Sequence, residues 1–306
     1  MKGVEVTMAE NSKIEWTAHT FNPWRGCTKV SAGCANCYAE TMSKRNPATL
    51  GVWGDAGTRV VASEAMWKQP LKWNQTAICG KCGHSEILGS DDCRHCGENF
   101  HPQIRPRVFC SSLADVFEDR PELRAPRQRL FHLIDDTPNL DWLLLTKRPE
   151  YVIGLQPYKW DMCGWPKNVW LGTTVENQEQ ANRRIPELLK VPAAVRFLSV
   201  EPMLGPVDLT SIQFLNYHGN MEEWDALDLH GVQTGNTATI QWVICGGESG
   251  PYARPMHLDW ARDLRLQCQL AGVPFFMKQG SAANWKDYKA FASFPPELQV
   301  RQFPQG

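Results

Sequence analysis

The 306-residue chain has no apolar run approaching the roughly 18 residues of a membrane span, which argues against a membrane protein. It has almost no net charge: 32 Lys and Arg stand against 33 Asp and Glu, a formal −1. The chain as a whole is therefore no general polyanion binder, and any contact with nucleic acid must come from a local patch. Internal repeats and low-complexity tracts are absent, so the length suits one large core, or one barrel-sized domain with an insertion. Met1 to Lys13 is polar and lacks the apolar core of a signal peptide, so a cytoplasmic location is expected.

Cysteine, by contrast, is plentiful. Eleven is an odd number and high for a cytosolic chain. In a reducing compartment such residues read as metal ligands or core residues rather than disulfides. Seven of them fall into two tight groups; Cys110, Cys245 and Cys268 sit in apolar contexts that suit core packing.

Seven strand-like runs stand out: His19–Trp24, Arg107–Leu113, Trp142–Thr146, Val169–Thr174, Arg196–Val200, Trp242–Cys245 and Pro274–Met277. Most are near-continuously apolar, as in parallel strands buried on both faces. Helix-compatible stretches lie between several of them, at Pro121–Asp135, Asn177–Lys190 and Leu258–Ala271, the last followed by Gly272 as a C′ residue. The alternation predicts an α/β fold, a parallel (β/α) barrel or open sheet. Chemistry in such folds sits at the strand C-termini. Polar residues follow nearly every run: Ser111, Ser112 and Asp115; Thr146, Lys147 and Arg148; Thr173 and Glu176; Glu201; Glu248 and Ser249; Lys278 and Gln279. Asp208–Thr239 is polar and poorly periodic, an excursion after the fifth run.

The first cysteine group follows the first run directly, with Cys27, Cys34 and Cys37 spaced C-x6-C-x2-C. Three thiolates without a fourth can bind three irons of a [4Fe–4S] cube and leave one iron open to an external chelating ligand. A zinc knuckle completed by His19 is the competing reading.

A three-cysteine loop after the first strand of a parallel barrel resembles the radical S-adenosylmethionine (SAM) superfamily. Further motifs resemble the phage gene-product 37/68 family, whose function is unassigned. They are Phe21-Asn22-Pro23-Trp24-x-Gly26-Cys27, Leu145-Thr146-Lys147-Arg148-Pro149, Leu171-Gly172-Thr173-Thr174-Val175-Glu176-Asn177, Phe197-Leu198-Ser199-Val200-Glu201-Pro202 and Gly246-Gly247-Glu248-Ser249-Gly250. The chain departs from the common C-x3-C-x2-C spacing, and its aromatic, Tyr38, follows the last cysteine instead of preceding it. Its Gly-Gly-Glu motif comes at the sixth strand and not the second.

The resemblance implies a partial barrel over 14–280, a [4Fe–4S] cluster on Cys27, Cys34 and Cys37, bound SAM, and an external electron donor. Ser111, Ser112, Asp115, Arg148, Thr173 and Glu176 are the expected SAM-binding residues, and Glu201, Glu248 and Lys147 the expected catalytic ones. A phage origin would place the protein in the host cytoplasm and points to DNA, or a nucleoside, as substrate. The expected reaction is an isomerase step in thymine hypermodification, moving a glycine on the 5-methylene from a nitrogen to an α-carbon link. Nucleic-acid lesion repair resembling spore photoproduct lyase, or a non-enzymatic zinc-dependent nucleic-acid-binding protein, are the alternatives.

The second group, Cys79-x2-Cys82 and Cys93-x2-Cys96, pairs two tight turns, each followed by glycine, and predicts a zinc-ribbon insertion over 76–104. A second iron–sulfur cluster is the alternative metal. Lys81, Arg94 and His95 would lie on its surface, and Arg120, Arg124 and Arg127 could form one basic helical face able to track a phosphate backbone. Residues 281–306 are expected as a C-terminal extension.

Overall fold

The computed structural model describes residues 12, 14–99, 103–215, 218–227, 238–250, 252–281 and 291–304. Seven strands make one parallel sheet: β1 (His19–Thr20), β2 (Arg107–Cys110), β3 (Asp141–Thr146), β4 (Val169–Thr174), β5 (Val195–Val200), β6 (Trp242–Gly246) and β7 (Phe275–Gln279). Their spatial order is their chain order, as successive right-handed βα units produce. The sheet curls into a half-barrel, a mixed α/β architecture compatible with a partial (β/α) barrel. All seven sequence-predicted strands are present, with the first cut to two residues before Pro23.

Near-continuous apolarity arises because both faces are covered. One residue of each alternating pair points outward into the main core beneath the helices, as Cys110, Leu144, Leu171, Leu198, Val243 and Met277 do. The other points inward, where Phe109, Leu143, Trp170, Phe197, Trp242, Ile244 and Phe276 join Trp16 in a second cluster. Trp242 is its hub, with ring centroids 6.1 Å from Trp16, 6.1 Å from Trp170 and 5.8 Å from Phe197. Each such ring contributes roughly 1.5–3 kcal/mol by leaving water, and together they plug the half-barrel below its polar end.

The longer helices are α1 (Tyr38–Arg45), α2 (Arg124–Asp135), α3 (Gln178–Leu189) and α4 (Leu258–Leu270). The Gln180 amide donates to the side chain of Asn177, which caps α3 at 3.0 Å. Gly272, at φ +68°, ends α4 as expected. The expected basic face of α2 is not formed. Arg127 is buried and donates to the carbonyls of Val116 and Glu118, while Arg120 pairs with Glu122 and reaches the Asp55 carbonyl. Burial of the guanidinium takes the central charge off the surface.

Between β1 and β2 the insertion forms an antiparallel sheet of Thr76–Cys79 flanked by Ser85–Ile87 and Gln103–Ile104. The excursion after β5 contains the hairpin Ile212–Leu215 and Met221–Trp224, and its stretch 228–237 lies outside the described residues. The C-terminal extension, described at residues 281 and 291–304, packs into the same body. Arg301 bridges Phe276 of β7, and the Phe303 ring lies 5.6 Å from that of Trp242. Among the described residues, no helix is long and apolar enough to cross a membrane.

Candidate functional site

The chain leaves β1 through Asn22 and Pro23, pairs Trp24–Arg25 with Val60–Val61, and turns at Gly26. Gly26 has φ +106°, and a Cβ there would meet the Thr58 carbonyl oxygen at 2.6 Å, so the turn requires glycine. The loop then makes a 3-10 turn at Ala32–Cys34 and enters α1 immediately after Cys37. Cys27, Cys34 and Cys37 are half-buried and line one cavity of about 1050 Å³ at the C-terminal ends of the strands. Trp16 and Phe109 of the inward cluster also line it. No fourth cysteine is among its lining residues.

The three sulfurs do not all lie within 4.8 Å of one another. Among the described residues, the set of three or more ligand atoms lying within 4.8 Å of one another is Cys79, Cys82, Cys93 and Cys96. His19 does not complete a knuckle either. It is buried and stacked on Trp73, ring centroids 4.3 Å apart, and Trp73 belongs to the outer core. Burial lowers its pKa to about 4. The period-2 alternation of a strand explains this, since Thr20 lines the cavity and its neighbour must face away. A cube, which receives each thiolate on a different iron, suits the wider spacing of Cys27, Cys34 and Cys37.

Burial pushes the Cys27 thiol up to about 12, with Asp115 raising it further and Arg148 opposing both. Arg148 Nη1 lies 3.7 Å from Cys27 Sγ and 2.9 Å from Asp115 Oδ2, and its Nη2 donates to the Thr28 carbonyl at 2.8 Å. Arg148 is thus committed to the cysteine loop and to Asp115. Asp115 is saturated as well: it accepts from the Phe117 amide, the Thr146 hydroxyl, the Lys147 amide and Arg148. Both were expected to hold a cofactor; both line the cavity, and their side chains also tie the loop to the strand ends.

The sequence from residue 11 to residue 296 matches a family model described as a protein of unknown function, DUF5131. The chain belongs to the DUF5131 family. No curated protein and no solved structure matches it.

In this DUF5131 chain the remaining strand-end residues divide into two sets. Ser111, Ser112, Lys147, Glu201 and Glu248 line the cavity. Thr173 and Glu176 are fully buried: the Thr173 hydroxyl donates to the Thr146 carbonyl, and Glu176 pairs with Arg184 at 2.8 Å. Lys147 Nζ sits 3.3 Å from the Thr174 hydroxyl and makes no ion pair within 4.0 Å among the described residues. Glu201 accepts from Lys278 Nζ at 2.6 and 2.7 Å and from Gln279 at 3.3 Å. Glu248 accepts from Arg254 and from Asn36, which outweigh its burial and hold its carboxyl below the usual range.

Several partners were not assigned from sequence. Tyr38 donates to the Ser112 carbonyl at 2.6 Å, and Arg59 bridges Glu118 at 2.6 Å and the Thr28 hydroxyl at 2.9 Å. Tyr38, Lys278 and Gln279 carry a legible signal, since they adjoin a cysteine or end a strand. Arg59, Arg184 and Arg254 carry none, because long-range pairing decides their roles.

The second cysteine group can hold a metal such as zinc. Its two turns are copies of each other. The Gly83 amide donates to the Cys79 carbonyl and the Gly97 amide to the Cys93 carbonyl, with both glycines at positive φ, +75° and +69°. Cys79 and Cys96 sulfurs lie 4.0 Å apart, and Cys82 and Cys93 sulfurs 3.5 Å. Zinc–sulfur bonds of about 2.3 Å in a tetrahedron give edges of about 3.8 Å, so the donor set fits one zinc.

Proposed function

We propose that this chain is a radical SAM enzyme, with Cys27, Cys34 and Cys37 holding a [4Fe–4S] cluster and Cys79, Cys82, Cys93 and Cys96 holding zinc in a ribbon. The observation that carries the reading is the position of the first three thiols. They sit on the loop leaving β1, share one cavity at the strand C-termini, and lack a fourth cysteine there. When bound, the cluster and SAM would supply a hydrogen-abstracting carbon radical.

The chain's own residues bind, orient and exclude water. The aromatic plug around Trp242 closes the cavity from below. Lys147, unlike Arg148, has its charge available, and it suits the carboxylate of SAM or of an amino-acid substituent on the substrate. Glu201, with Lys278 beside it, can hold or move a proton at the mouth of the site.

The substrate we propose is a thymidine in DNA carrying glycine on its 5-methylene. The reaction is an isomerisation. The methylene exchanges its bond to nitrogen for one to the glycyl α-carbon, and a hydrogen moves from that carbon to the nitrogen, so the substrate needs no net oxidant or reductant. The resemblance to a phage family supports this, as does Lys147, which makes no ion pair among the described residues and suits the glycyl carboxylate. Mass analysis of nucleosides from cells expressing the chain with its genomic neighbours tests it. The α-carbon-linked product should appear and should vanish with Cys34→Ala; its absence in both would overturn the substrate assignment.

A further inference from the structure

The gap of six residues between Cys27 and Cys34 leaves a long loop that its own backbone cannot hold. Over Thr28–Ala35 its internal backbone bonds among the described residues are those of one 3-10 turn, Cys34 amide to Ser31 carbonyl and Ala35 amide to Ala32 carbonyl. Within the loop Lys29 Nζ also donates to the Ala35 carbonyl at 3.3 Å, and further support comes from charged side chains of other segments. Arg148 and Arg59 take the carbonyl and hydroxyl of Thr28, and Arg254 takes the Ala32 carbonyl at 2.9 Å.

The centre of the loop rests on Glu176. Its Oε1 accepts from the Ser31 hydroxyl at 2.6 Å, and its Oε2 accepts from Arg184 Nη1 at 2.8 Å. Arg184 also donates to the Thr174 carbonyl at 2.8 Å, so the pair is tied to the end of β4. Both partners are buried, at 0 % and 1 % side-chain exposure, so Glu176 cannot swing aside. Gly33 lies directly against it: a Cβ there would clash with Glu176 Oε1 and Cγ. Glycine serves here for space, and the fit leaves the loop no slack on that side. Ser31 Oγ is also 3.9 Å from Cys34 Sγ, which places the contact beside a proposed ligand.

We propose that Glu176, braced by Arg184, is a positioning residue that fixes the Ser31–Cys34 turn, so that Cys34 is held in place before any metal arrives. The Glu176 contact substitutes for the local rigidity that a shorter loop would have had. The proposal deepens the iron–sulfur reading, yet its first readout does not depend on it.

The experiment uses the full chain, purified without oxygen and treated with a chelator mild enough to leave the four-cysteine group loaded. Alkylation of Cys34 by iodoacetamide is timed by peptide mass analysis, with the exposed Cys163 as internal standard. Ser31→Ala removes the contact while leaving the Glu176–Arg184 pair intact. It should speed Cys34 alkylation about tenfold relative to Cys163, the change expected on losing one hydrogen bond to a charged group that opposes local opening. Ser31→Thr keeps the hydroxyl on an extended backbone, φ −154° and ψ 175°, and should restore the slow rate. Gly33→Ala should act in the same direction as Ser31→Ala. After iron and sulfide are added, the wild-type and Ser31→Thr proteins should share one electron paramagnetic resonance spectrum that Ser31→Ala broadens. Unchanged Cys34 alkylation in both Ser31→Ala and Gly33→Ala would overturn the proposal. If the wild type takes up no iron while the alkylation pattern holds, the positioning role stands and the iron–sulfur reading fails.

Discussion

Arg148 bridges Asp115 and Cys27, its Nη1 lying 2.9 Å from the carboxylate and 3.7 Å from the sulfur. The end of β3 is thereby tied to the cysteine loop, and a buried cation faces a thiol that burial makes hard to ionise. Arg148→Met would leave Asp115 and Glu118 buried with less compensation. The expected loss of stability is about 3–5 kcal/mol, as for breaking a buried pair from one side. Urea unfolding measures it, and a loss under about 1 kcal/mol would mean that the pair is solvated like a surface bridge.

Cys79→Ser or Cys96→Ser should each release about one zinc per chain, because two tight turns share one ion and its binding is coupled to local folding. The iron content after reconstitution should not change. Elemental analysis decides the point, and loss of iron in place of zinc would identify the four-cysteine group as a second cluster.

His19 should make the fold acid-sensitive. Its pKa falls from 6.5 to about 4 on burial, so the unfolded chain binds the extra proton throughout that interval. Stability from this residue is complete above about pH 6.5 and is lost as pH falls towards 4, by on the order of 3 kcal/mol. Asp141, raised to about 6 by burial, acts in the opposite sense, so the comparison must be between proteins. His19→Phe keeps the stack on Trp73 and should lose less stability than wild type between pH 7 and pH 4.5. Parallel pH profiles would contradict a buried neutral imidazole.

Glu201→Gln and Glu248→Gln preserve side-chain shape and remove charge. Both variants should fold and bind iron, yet lose SAM cleavage or product formation about a hundredfold, the scale of removing an aligned polar group. A lowered melting temperature with near-normal turnover would assign the Lys278 and Arg254 ion pairs a structural role alone.

The strands and the cavity end were legible because apolar runs and the polar residues after them follow from burial on both faces. Phe109 and Cys110 show why the finer pattern was not. Both are apolar, and only the curl of the sheet tells the inward cluster from the outward one. The cysteine groups were legible from spacing. Asp115, Arg148 and Glu176 were found as strand-end residues but expected to hold a cofactor. Their hydrogen bonds reach partners that sequence distance hides, such as Thr28 and Ser31. Arg127 misled for the same reason, since helical spacing said nothing of the Val116 carbonyl that draws it inward.

The most direct test is reductive cleavage of SAM by the anaerobically reconstituted protein. The account predicts about four irons per chain at the first cysteine group, release of 5′-deoxyadenosine under reduction, and loss of that release in each of Cys27→Ala, Cys34→Ala and Cys37→Ala. A wild-type protein that binds zinc but neither iron nor SAM, or three variants that still cleave it, would contradict the account.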